Sequence, residues 1–535
     1  MKKEEFVFLF VMMIIAVCAI VYELLIGGSL SIVLGDTILY FSLTIGFFLS
    51  SMGIGAYITK KIKKDEKLLP SFVIIEIILA LMGVGAVLLS FYIPAYSSYY
   101  TVNPEHVGTL LFSLLNSTIP FQIIIFSFII AIGICVGMEI PIITRILNKD
   151  LQLKKHIAHV LAADYLGSFL GAVFFPLFLL PKFGMIKTAF LMGILNIFAA
   201  LIMIIKFFKE KRIYLFLSII IFILLLLGFF YSDKIEQKID RIYYAYNHPA
   251  LSISFSEQSP YQKIVLVKGD QSAKDYFVLY LNRYVQFNGR NGSDAYHKAL
   301  VLPPMEAAKN RKNVLILGSG DGLVAREVLK YDDVKNVTDV DIDKEIIKFS
   351  STQEDMVAFN NGSFLNKKVE IIINDAFQYV KKTDKRYDLI FVDFPEGIDL
   401  PLARSYSFQF ILDLKRILNQ GGIVSFKADL YDSQSYWSVV KTLKEAGLFV
   451  LPYRTANEYY GTKNPEGMIL AGNSPIDVGK LKENDDPAFD PIKSVLSDAE
   501  INDKIKNIEV NTVYKPIYLY YFRKEFYNNH INHYT

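Results

Sequence analysis

Long runs of Ile, Leu, Phe and Val dominate the first 231 residues, whereas Lys, Asp, Glu and Asn become common beyond Tyr231. A helix needs about 20 consecutive apolar residues to cross the hydrocarbon core of a bilayer. Seven segments come close to this length: residues 6–25, 38–58, 69–92, 121–143, 160–180, 188–205 and 213–231. The sequence therefore predicts an all-α, multi-pass domain over residues 1–231, located in the cell membrane and surrounded by lipid.

Basic residues follow the second, fourth and sixth of these segments. They are Lys60, Lys61, Lys63, Lys64, Lys67, Arg145, Lys149, Lys154, Lys155, Lys206, Lys209, Lys211 and Arg212. Because loops rich in Lys and Arg stay in the cytoplasm, the pattern predicts a cytoplasmic amino terminus. Seven crossings would then put the second half of the chain outside, which is the wrong side for an enzyme with a cytosolic substrate. The sequence leaves the side of the second half open.

The second half shows a different organisation. A linker is predicted at residues 232–250, a small β domain at 251–305, a Rossmann-like α/β domain at 306–475 and a C-terminal extension at 476–535. In the α/β part, short apolar runs alternate with helical stretches, which is typical of a doubly wound parallel sheet with helices on both faces. Such sheets bind ligands at the carboxyl ends of their strands.

Three glycines, Gly318, Gly320 and Gly322, follow the first predicted strand of this sheet. Glycines let the backbone approach a ligand closely at a helix N-terminus, although such a loop is as often an ordinary strand-to-helix turn. Asp341 ends the next strand and can accept both hydroxyls of a ribose. Asp375 ends the third and can accept from an adenine amine. Together they predict a nucleoside ligand, although each acid could instead cap a helix, which is the preferred interpretation for Asp343.

Asp393 ends the fourth predicted strand and is the candidate catalytic residue. Glu396 follows three residues later, and Asp321 is expected across the same cleft. Several carboxylates around one cleft suit a cationic substrate, and one of them could take a proton from an attacking amine. Crowded carboxylates also raise one another's pKa.

Other features exclude several classes of protein. The net charge of +3 is too small to indicate a nucleic-acid partner. The two cysteines, Cys18 and Cys135, lie in the apolar half, so no disulfide framework is predicted for the second half. The seven histidines show no metal-ligand spacing, so no metal site is predicted.

Five segments of the second half resemble the spermidine synthases, which are polyamine aminopropyltransferases. In chain order they are SPYQKIVLV (259–267), AYHKALVLPPM (295–305), VLILGSGDGLVAREVLKY (314–331), NDAF (374–377) and YDLIFVDFPEG (387–397). The apolar stretch at residues 22–57 is similar to the multi-helix region of membrane-fused members of this family.

The resemblance implies transfer of an aminopropyl group from decarboxylated S-adenosylmethionine, a co-substrate rather than a permanently bound cofactor, to a diamine such as putrescine. It implies that Asp393 is the general base. The implied polyamine-binding residues are Tyr296, His297, Asp321 and Glu396. The implied nucleoside-binding residues, besides the three glycines, are Gln262, Gln286, Asp341, Asp375 and Ala376. We also expect a homo-oligomer.

Two departures from the family bear on the acceptor amine. Glu396 stands where the family usually has Asp, and Gly397 stands where a Pro usually follows. Two alternatives therefore stay open. One is a methyltransferase that uses intact S-adenosylmethionine, although Asp321 would repel the carboxylate of that molecule. The other is a transporter or sensor that binds a polyamine without turnover.

Overall fold

The chain forms two compact units, Met1–Ser254 and Phe255–Thr535. The computed structural model describes residues 3–102, 118–148, 153–207, 212–245, 251–270, 277–288, 295–395, 400–455, 465–477, 479 and 496–532. The first unit is helical. Its long helices are α1 (Lys3–Leu34), α2 (Thr37–Ile58), α3 (Leu68–Val102), α4 (Thr118–Leu147), α5 (Leu153–Phe174), α6 (Leu180–Phe207) and α7 (Arg212–Asp240).

Six helical stretches within the described residues are long and apolar enough to cross a membrane. The fifth, Lys154–Phe207, has 54 residues, more than twice the length that one crossing requires. It comprises α5, a π-helical turn at Phe175–Leu179 and α6, and Gly184 interrupts it with φ 67° and ψ −174°. Only glycine adopts this backbone conformation readily, so the helix breaks there.

Contacts with α1 show that the chain turns back at Gly184. In α5, residues further along the chain contact residues further along α1, so these two helices run parallel. In α6 the order is reversed, so this helix runs antiparallel to α1. The pairs are Glu5 with His159 and Ile20 with Gly171 in α5, and Cys18 with Met192 and Phe8 with Phe207 in α6. The predicted fifth and sixth apolar segments are therefore the two arms of a helical hairpin.

The last helix, α7, runs antiparallel to α6. Lys187 Nζ lies 2.8 Å from Asp233 Oδ2, whereas a Cβ atom on Gly193, later in α6, would lie 3.2 Å from Leu225 Cδ1, earlier in α7. Since α6 is antiparallel to both α1 and α7, the first and last helices run parallel. The chain consequently enters this unit at one end of the bundle and leaves it at the other.

Small residues bring some of these helices into backbone contact. A Cβ atom on Gly55 of α2 would lie 2.0 Å from Ile134 O of α4, and one on Gly137 would lie 2.0 Å from Met52 O. Close approach at small residues is a common way for apolar helices to associate. Gly53, two residues before Gly55, has nothing within 4 Å of its Cβ position.

Replacing Gly55 by Ala is expected to destabilise the helical unit, because the added methyl group must displace the α4 backbone at a cost of about 1–3 kcal/mol. Both cysteines of the chain lie in this unit as free thiols. A thiol-reactive dye added while detergent-solubilised protein is heated therefore reports on the unfolding of this unit. Gly55→Ala should lower the midpoint temperature, whereas the control Gly53→Ala should not; equal midpoints would contradict the close packing.

A small sheet that follows the helices in the chain, with antiparallel β2–β3 and β3–β4 pairs, has four strands in the order β1-β2-β3-β4. They are β1 (Leu251–Gln258), β2 (Lys263–Gly269), β3 (Phe277–Leu281) and β4 (Tyr284–Asn288). The alternation of apolar and polar residues predicts strands at 252–255, 263–267 and 276–281, which correspond to β1–β3, and it predicts none at β4. The β3–β4 turn is Asn282-Arg283, with φ 48° and 73°, and it lacks the Asn-Gly signature that usually marks such a two-residue hairpin.

The α/β part contains a seven-stranded sheet in the order β10-β11-β9-β8-β5-β6-β7. Its strands are β5 (Asn313–Leu317), β6 (Asn336–Asp341), β7 (Val369–Ile373), β8 (Tyr387–Val392), β9 (Leu418–Leu430), β10 (Phe449–Arg454) and β11 (Glu466–Gly472). The five strands from β7 to β9 in this order are parallel, and β11 and β10 add antiparallel pairs. This is the predicted doubly wound α/β architecture.

Helices cover both faces of this sheet. They are α8 (Ala295–Ala307), α9 (Leu323–Val328), α10 (Lys344–Thr352), α11 (Glu354–Phe359), α12 (Ala376–Lys382), α13 (Leu400–Ala403), α14 (Phe408–Ile417), α15 (Gln434–Glu445), α16 (Asp498–Ile505) and α17 (Ile517–Asn532). Because successive residues of a strand point to opposite faces, β5 contributes Leu315 and Leu317 to one apolar core and Val314 and Ile316 to the other.

Candidate active site

Backbone hydrogen bonds hold the carboxyl ends of the central strands together one residue beyond each strand. Gly318 N, after β5, donates to Val340 O of β6 at 3.0 Å. Asp393 N, after β8, donates to Leu317 O of β5 at 3.0 Å. The first residue of each loop is thus fixed by the sheet, which brings the glycine loop and Asp393 side by side.

The glycine loop approaches its neighbours too closely to carry side chains. Gly318 has φ 88°, and a Cβ atom there would lie 2.6 Å from Phe394 Cδ1. A Cβ atom on Gly320 would lie 2.8 Å from Asp341 Oδ2. Gly322, with φ 78°, ends the loop as the residue before α9. The three predicted glycines therefore form one tight turn directly beside the Asp341 carboxyl group.

Helix α8 carries two of the predicted substrate residues and is fastened to the sheet by two hydrogen bonds. Ser425 Oγ donates to Leu300 O at 2.7 Å, and Tyr453 OH donates to Ala299 O at 2.6 Å. The side chain of His297 is fully buried, and neither ring nitrogen has a hydrogen-bond partner among the described residues. Buried polar groups are normally paired, so this ring is available to a ligand.

His297 lies between two predicted acids. Its Nε2 atom is 3.5 Å from Asp321 Oδ2 and 3.9 Å from Asp393 Oδ2, both longer than an ordinary hydrogen bond. The Tyr296 ring lies against the His297 ring, with 3.7 Å between centroids. The structure thus brings Tyr296, His297, Asp321 and Asp393 together in one buried centre.

The two acids of this centre differ in pKa. Burial raises the pKa of Asp321, but the adjacent His297 and a hydrogen bond from Leu323 N outweigh this effect, so that the pKa lies below its usual value. Burial raises the pKa of Asp393 to about 6, and the positive charges of His297 and Lys427 only partly offset the rise. Asp393 is therefore the acid whose pKa is closer to neutral, as a general base requires.

Asp341 and Asp343 accept different hydrogen bonds at the end of β6. Asp341 Oδ1 accepts from Asp343 N at 2.8 Å, and burial raises the pKa of Asp341 to about 6. Asp343 caps α10 by accepting from Glu345 N at 3.0 Å, as its position predicts. Gln262 Nε2 donates to Asp343 Oδ2 at 2.9 Å, so Gln262 contacts the helix cap rather than Asp341.

Asp375 and Ala376 lie at the next strand end, where α12 begins. Asn374 N donates to Asp341 O at 3.0 Å, which ties this loop to the end of β6. Asp375 caps α12 by accepting from Gln378 N at 3.2 Å, and Ala376 is the first residue of that helix. The predicted adenine acid is thus held beside the predicted ribose acid.

The remaining predicted residues are less informative. Gln286 is half-buried on β4 of the small sheet, and Glu396 lies outside the described residues. Among the residues that the structure describes, no group of three or more His, Cys, Asp or Glu side chains is arranged to hold a metal ion.

Comparison with known proteins identifies relatives along most of the chain. The family model of the spermine/spermidine synthase domain matches residues 293–457. A polyamine aminopropyltransferase of Leptospira interrogans is 35% identical over 473 residues, which cover 88% of each protein. One of Oceanobacillus iheyensis is 33% identical and covers 87% of this chain and 85% of that protein. A solved spermidine synthase from Thermotoga maritima matches 48% of this chain and 88% of its own, with 19% identity and a TM-score of 0.39.

The chain belongs to the spermidine synthase family. It is a transferase of the polyamine aminopropyltransferase type. Members of the spermidine synthase family use decarboxylated S-adenosylmethionine as a substrate. Two residues that interact with the predicted acids, Arg404 and Asp339, were not predicted from the sequence.

Arg404 pairs with Asp375, the acid that is predicted to bind the adenine amine. Its Nη2 donates to Asp375 Oδ2, and its guanidinium lies 5.0 Å from the centroid of the Phe377 ring. Asn511 Nδ2, from the segment before α17, donates to the neighbouring Ala403 O at 2.9 Å. The C-terminal segment therefore helps to hold Arg404, a link between distant residues that no local sequence pattern indicates.

Asp339 is a buried acid within β6, two residues before Asp341 and on the same face of the strand. Its neighbours in register are Ile316 on β5 and Ile371 on β7. Neither carboxyl oxygen has a hydrogen-bond partner in the described part of the chain. Burial, and then the nearby acids Asp341, Asp321 and Asp393, raises the pKa of Asp339 well above its usual value.

Asp339→Asn is expected to make the second unit less sensitive to high pH. In the folded protein Asp339 keeps its proton to a higher pH than in the unfolded chain, where the pKa is about 4. The folded state therefore binds more protons, and its stability falls as the pH rises above that value. An amide at this position does not ionise, so the stability of the variant relative to the wild type should increase as the pH rises above about 4.

The single tryptophan, Trp437, is buried on α15 of this unit, so its fluorescence reports the thermal unfolding directly. Asp332→Asn, at an exposed acid, serves as the matched control and should show a constant difference from the wild type. A difference for Asp339→Asn that is also independent of pH would show that Asp339 titrates as it does in the unfolded chain.

Proposed function

We propose that this chain transfers the aminopropyl group of decarboxylated S-adenosylmethionine to a diamine such as putrescine, and that it does so as a membrane-bound enzyme. The observation that carries the proposal is the buried centre in which His297 lies between the carboxyl groups of Asp321 and Asp393. Acidic side chains around one centre attract ammonium groups, and membership of the spermidine synthase family supplies the reaction type.

In this proposal the nucleoside part of the co-substrate binds along the strand ends. The glycine loop lets the backbone approach it closely. Asp341 accepts hydrogen bonds from the ribose hydroxyls, and Asp375 accepts one from the adenine amine. The full set proposed for the nucleoside is Gln262, Gln286, Gly318, Gly320, Gly322, Asp341, Asp375 and Ala376.

The acceptor diamine binds at the acidic centre. Asp321 and His297, together with Tyr296 and Glu396, hold its amino groups, and Asp393 takes a proton from the attacking ammonium group. The free amine then attacks the carbon next to the sulfonium sulfur. A C–N bond forms, the C–S bond breaks, and its electron pair stays on sulfur as neutral methylthioadenosine leaves. Because Asp393 must be ionised, activity should rise as the pH passes about 6.

Purified full-length protein supplied with the decarboxylated co-substrate and a panel of diamines should release methylthioadenosine and a longer polyamine. Asp393→Asn should lower the rate about 100-fold or more, because an amide cannot accept the proton. Asp384→Asn removes an exposed acid three residues before β8, at the opposite end of that strand from Asp393, and should have no effect.

Absence of product with every diamine would refute the proposed function. Release of S-adenosylhomocysteine from intact S-adenosylmethionine would favour the methyltransferase alternative. An active Asp393→Asn enzyme would leave the transferase intact but remove Asp393 as its base.

The membrane part of the proposal rests on apolar surface. The most apolar 18-residue window of the helical stretch Arg212–Tyr244 has a mean hydropathy of 3.0, yet only 11% of that window is buried within the protein. Large side chains along it, such as Ile213, Phe216, Leu224 and Phe230, are more than half exposed, at 59–68%. An apolar surface of this extent marks a partner or membrane interface, and its helical form and length suit lipid.

Reporter proteins fused to the two termini are expected to report opposite sides of the membrane, because α1 and α7 run parallel. Like α6, α2 runs antiparallel to α1, as the pairs Ser31–Thr37 and Gly27–Phe41 show, and α4 runs parallel to α2. The basic residues after α2, α4 and α6 therefore follow helices that end near the beginning of α1, so the amino-terminal reporter should be cytoplasmic. The carboxyl-terminal reporter should then lie outside the cytoplasm. Two cytoplasmic signals would contradict seven crossings, and a protein that washes off membranes at high salt would contradict the membrane assignment.

A further inference from the structure

Lys427 lies beside Asp393 at the carboxyl edge of the sheet. In the parallel pair β8–β9, Phe391 is opposite Ser425 and Val392 is opposite Phe426. Continuing this register by one residue brings Lys427 next to Asp393. Since residues two apart share a face of a strand, Lys427 lies on the same side as Ser425, whose hydroxyl group holds α8.

The Lys427 ammonium group faces the aromatic side of the buried centre. Its Nζ lies 4.3 Å from the centroid of the Tyr296 ring, and that ring lies against His297. A cation over an aromatic face is attracted by the ring and can hold it in position. The half-buried Lys427 therefore touches Tyr296 and adjoins Asp393, two residues of the centre that come from different elements.

Charges from several elements surround the Asp393 carboxyl group. Acidic groups come from the glycine loop, as Asp321, and from β6, as Asp339. His297 of α8 and Lys427 of β9 lower the pKa of this carboxyl group, and Ser319 Oγ donates to the neighbouring Asp321 Oδ1 at 3.1 Å. Without Lys427, the centre would hold the same acids with one fixed positive charge fewer.

We propose that Lys427 is a positioning residue for aminopropyl transfer, which keeps Asp393 in its ionised, proton-accepting form and holds Tyr296 against His297. This role rests on the proposed function of Asp393 as the base. A lysine in a centre that binds ammonium groups would otherwise only repel its substrate. Beside Asp393, however, the positive charge of Lys427 favours the carboxylate, which is the form of Asp393 that accepts the proton.

The sign of the pH effect follows from the charge. A nearby cation favours the carboxylate, so removing it raises the pKa of Asp393. Less of the enzyme then carries an ionised base at a given pH. Lys427→Met and Lys427→Gln should therefore shift the acid limb of kcat/KM upward by about 0.5 pH unit or more, equivalent to an about threefold loss of activity below the limb.

The experiment compares the pH dependence of kcat/KM for the full-length enzyme and four variants. Lys427→Met and Lys427→Gln remove the charge, and Lys427→Arg keeps it. Lys385→Met removes an exposed lysine just before the amino end of β8 and is the matched control. Fluorescence of Trp437 checks that each variant is folded. The acid limb should move in the two neutral variants and stay in place in the Arg variant and the control.

The outcomes distinguish a failure of the role proposed for Lys427 from a failure of the proposed function. An acid limb that stays in place in both neutral variants, even with a lower rate, overturns the role of Lys427 and leaves the proposed function standing. A limb that moves as far in Lys427→Arg as in the neutral variants also overturns it, because charge is then not the cause. A wild-type enzyme that forms no product with any diamine refutes the proposed function itself.

Discussion

The backbone hydrogen bonds just beyond the strand ends are the constraint on which the rest of the centre depends. They extend the sheet by one residue into each loop. The hydrogen bonds of the sheet, rather than the sequence of the loop, therefore fix the position at which each loop begins. The bonds are Gly318 N to Val340 O, Asp393 N to Leu317 O and Asn374 N to Asp341 O. A site needs side chains held within about half an ångström of a working geometry, and here the sheet supplies that rigidity.

The sequence was sufficient to predict which acids meet at this edge. Asp393 follows a short apolar run and Asp341 ends a predicted strand, and neighbouring parallel strands have their carboxyl ends at the same edge of the sheet. The glycine loop could be predicted because a backbone that approaches its neighbours this closely excludes side chains. The helix cap formed by Asp343 was also predictable, since an acid just before a helix caps it through local contacts alone.

Other residues could not be predicted because their environment depends on strand pairing and on distant loops. Asp339 has the appearance of an ordinary polar residue in a strand, and only the folded sheet, in which it pairs with Ile316 and Ile371, shows that it is buried close to other acids. Lys427 becomes a neighbour of Asp393 only through the β8–β9 pairing. Gln262 was expected at the nucleoside, whereas in the protein its amide group is bound to the Asp343 cap.

In the helical unit the apolar segments were predictable from length and composition, but the path of the chain was not. Gly184 turns one 54-residue helical stretch into two antiparallel arms. In a membrane, the number of such arms determines the compartment of everything that follows them. Gain or loss of one arm would relocate the whole catalytic half without changing any residue in it. In the proposed membrane-bound enzyme, the number of helices therefore determines the compartment of the second half, independently of the chemistry of its site.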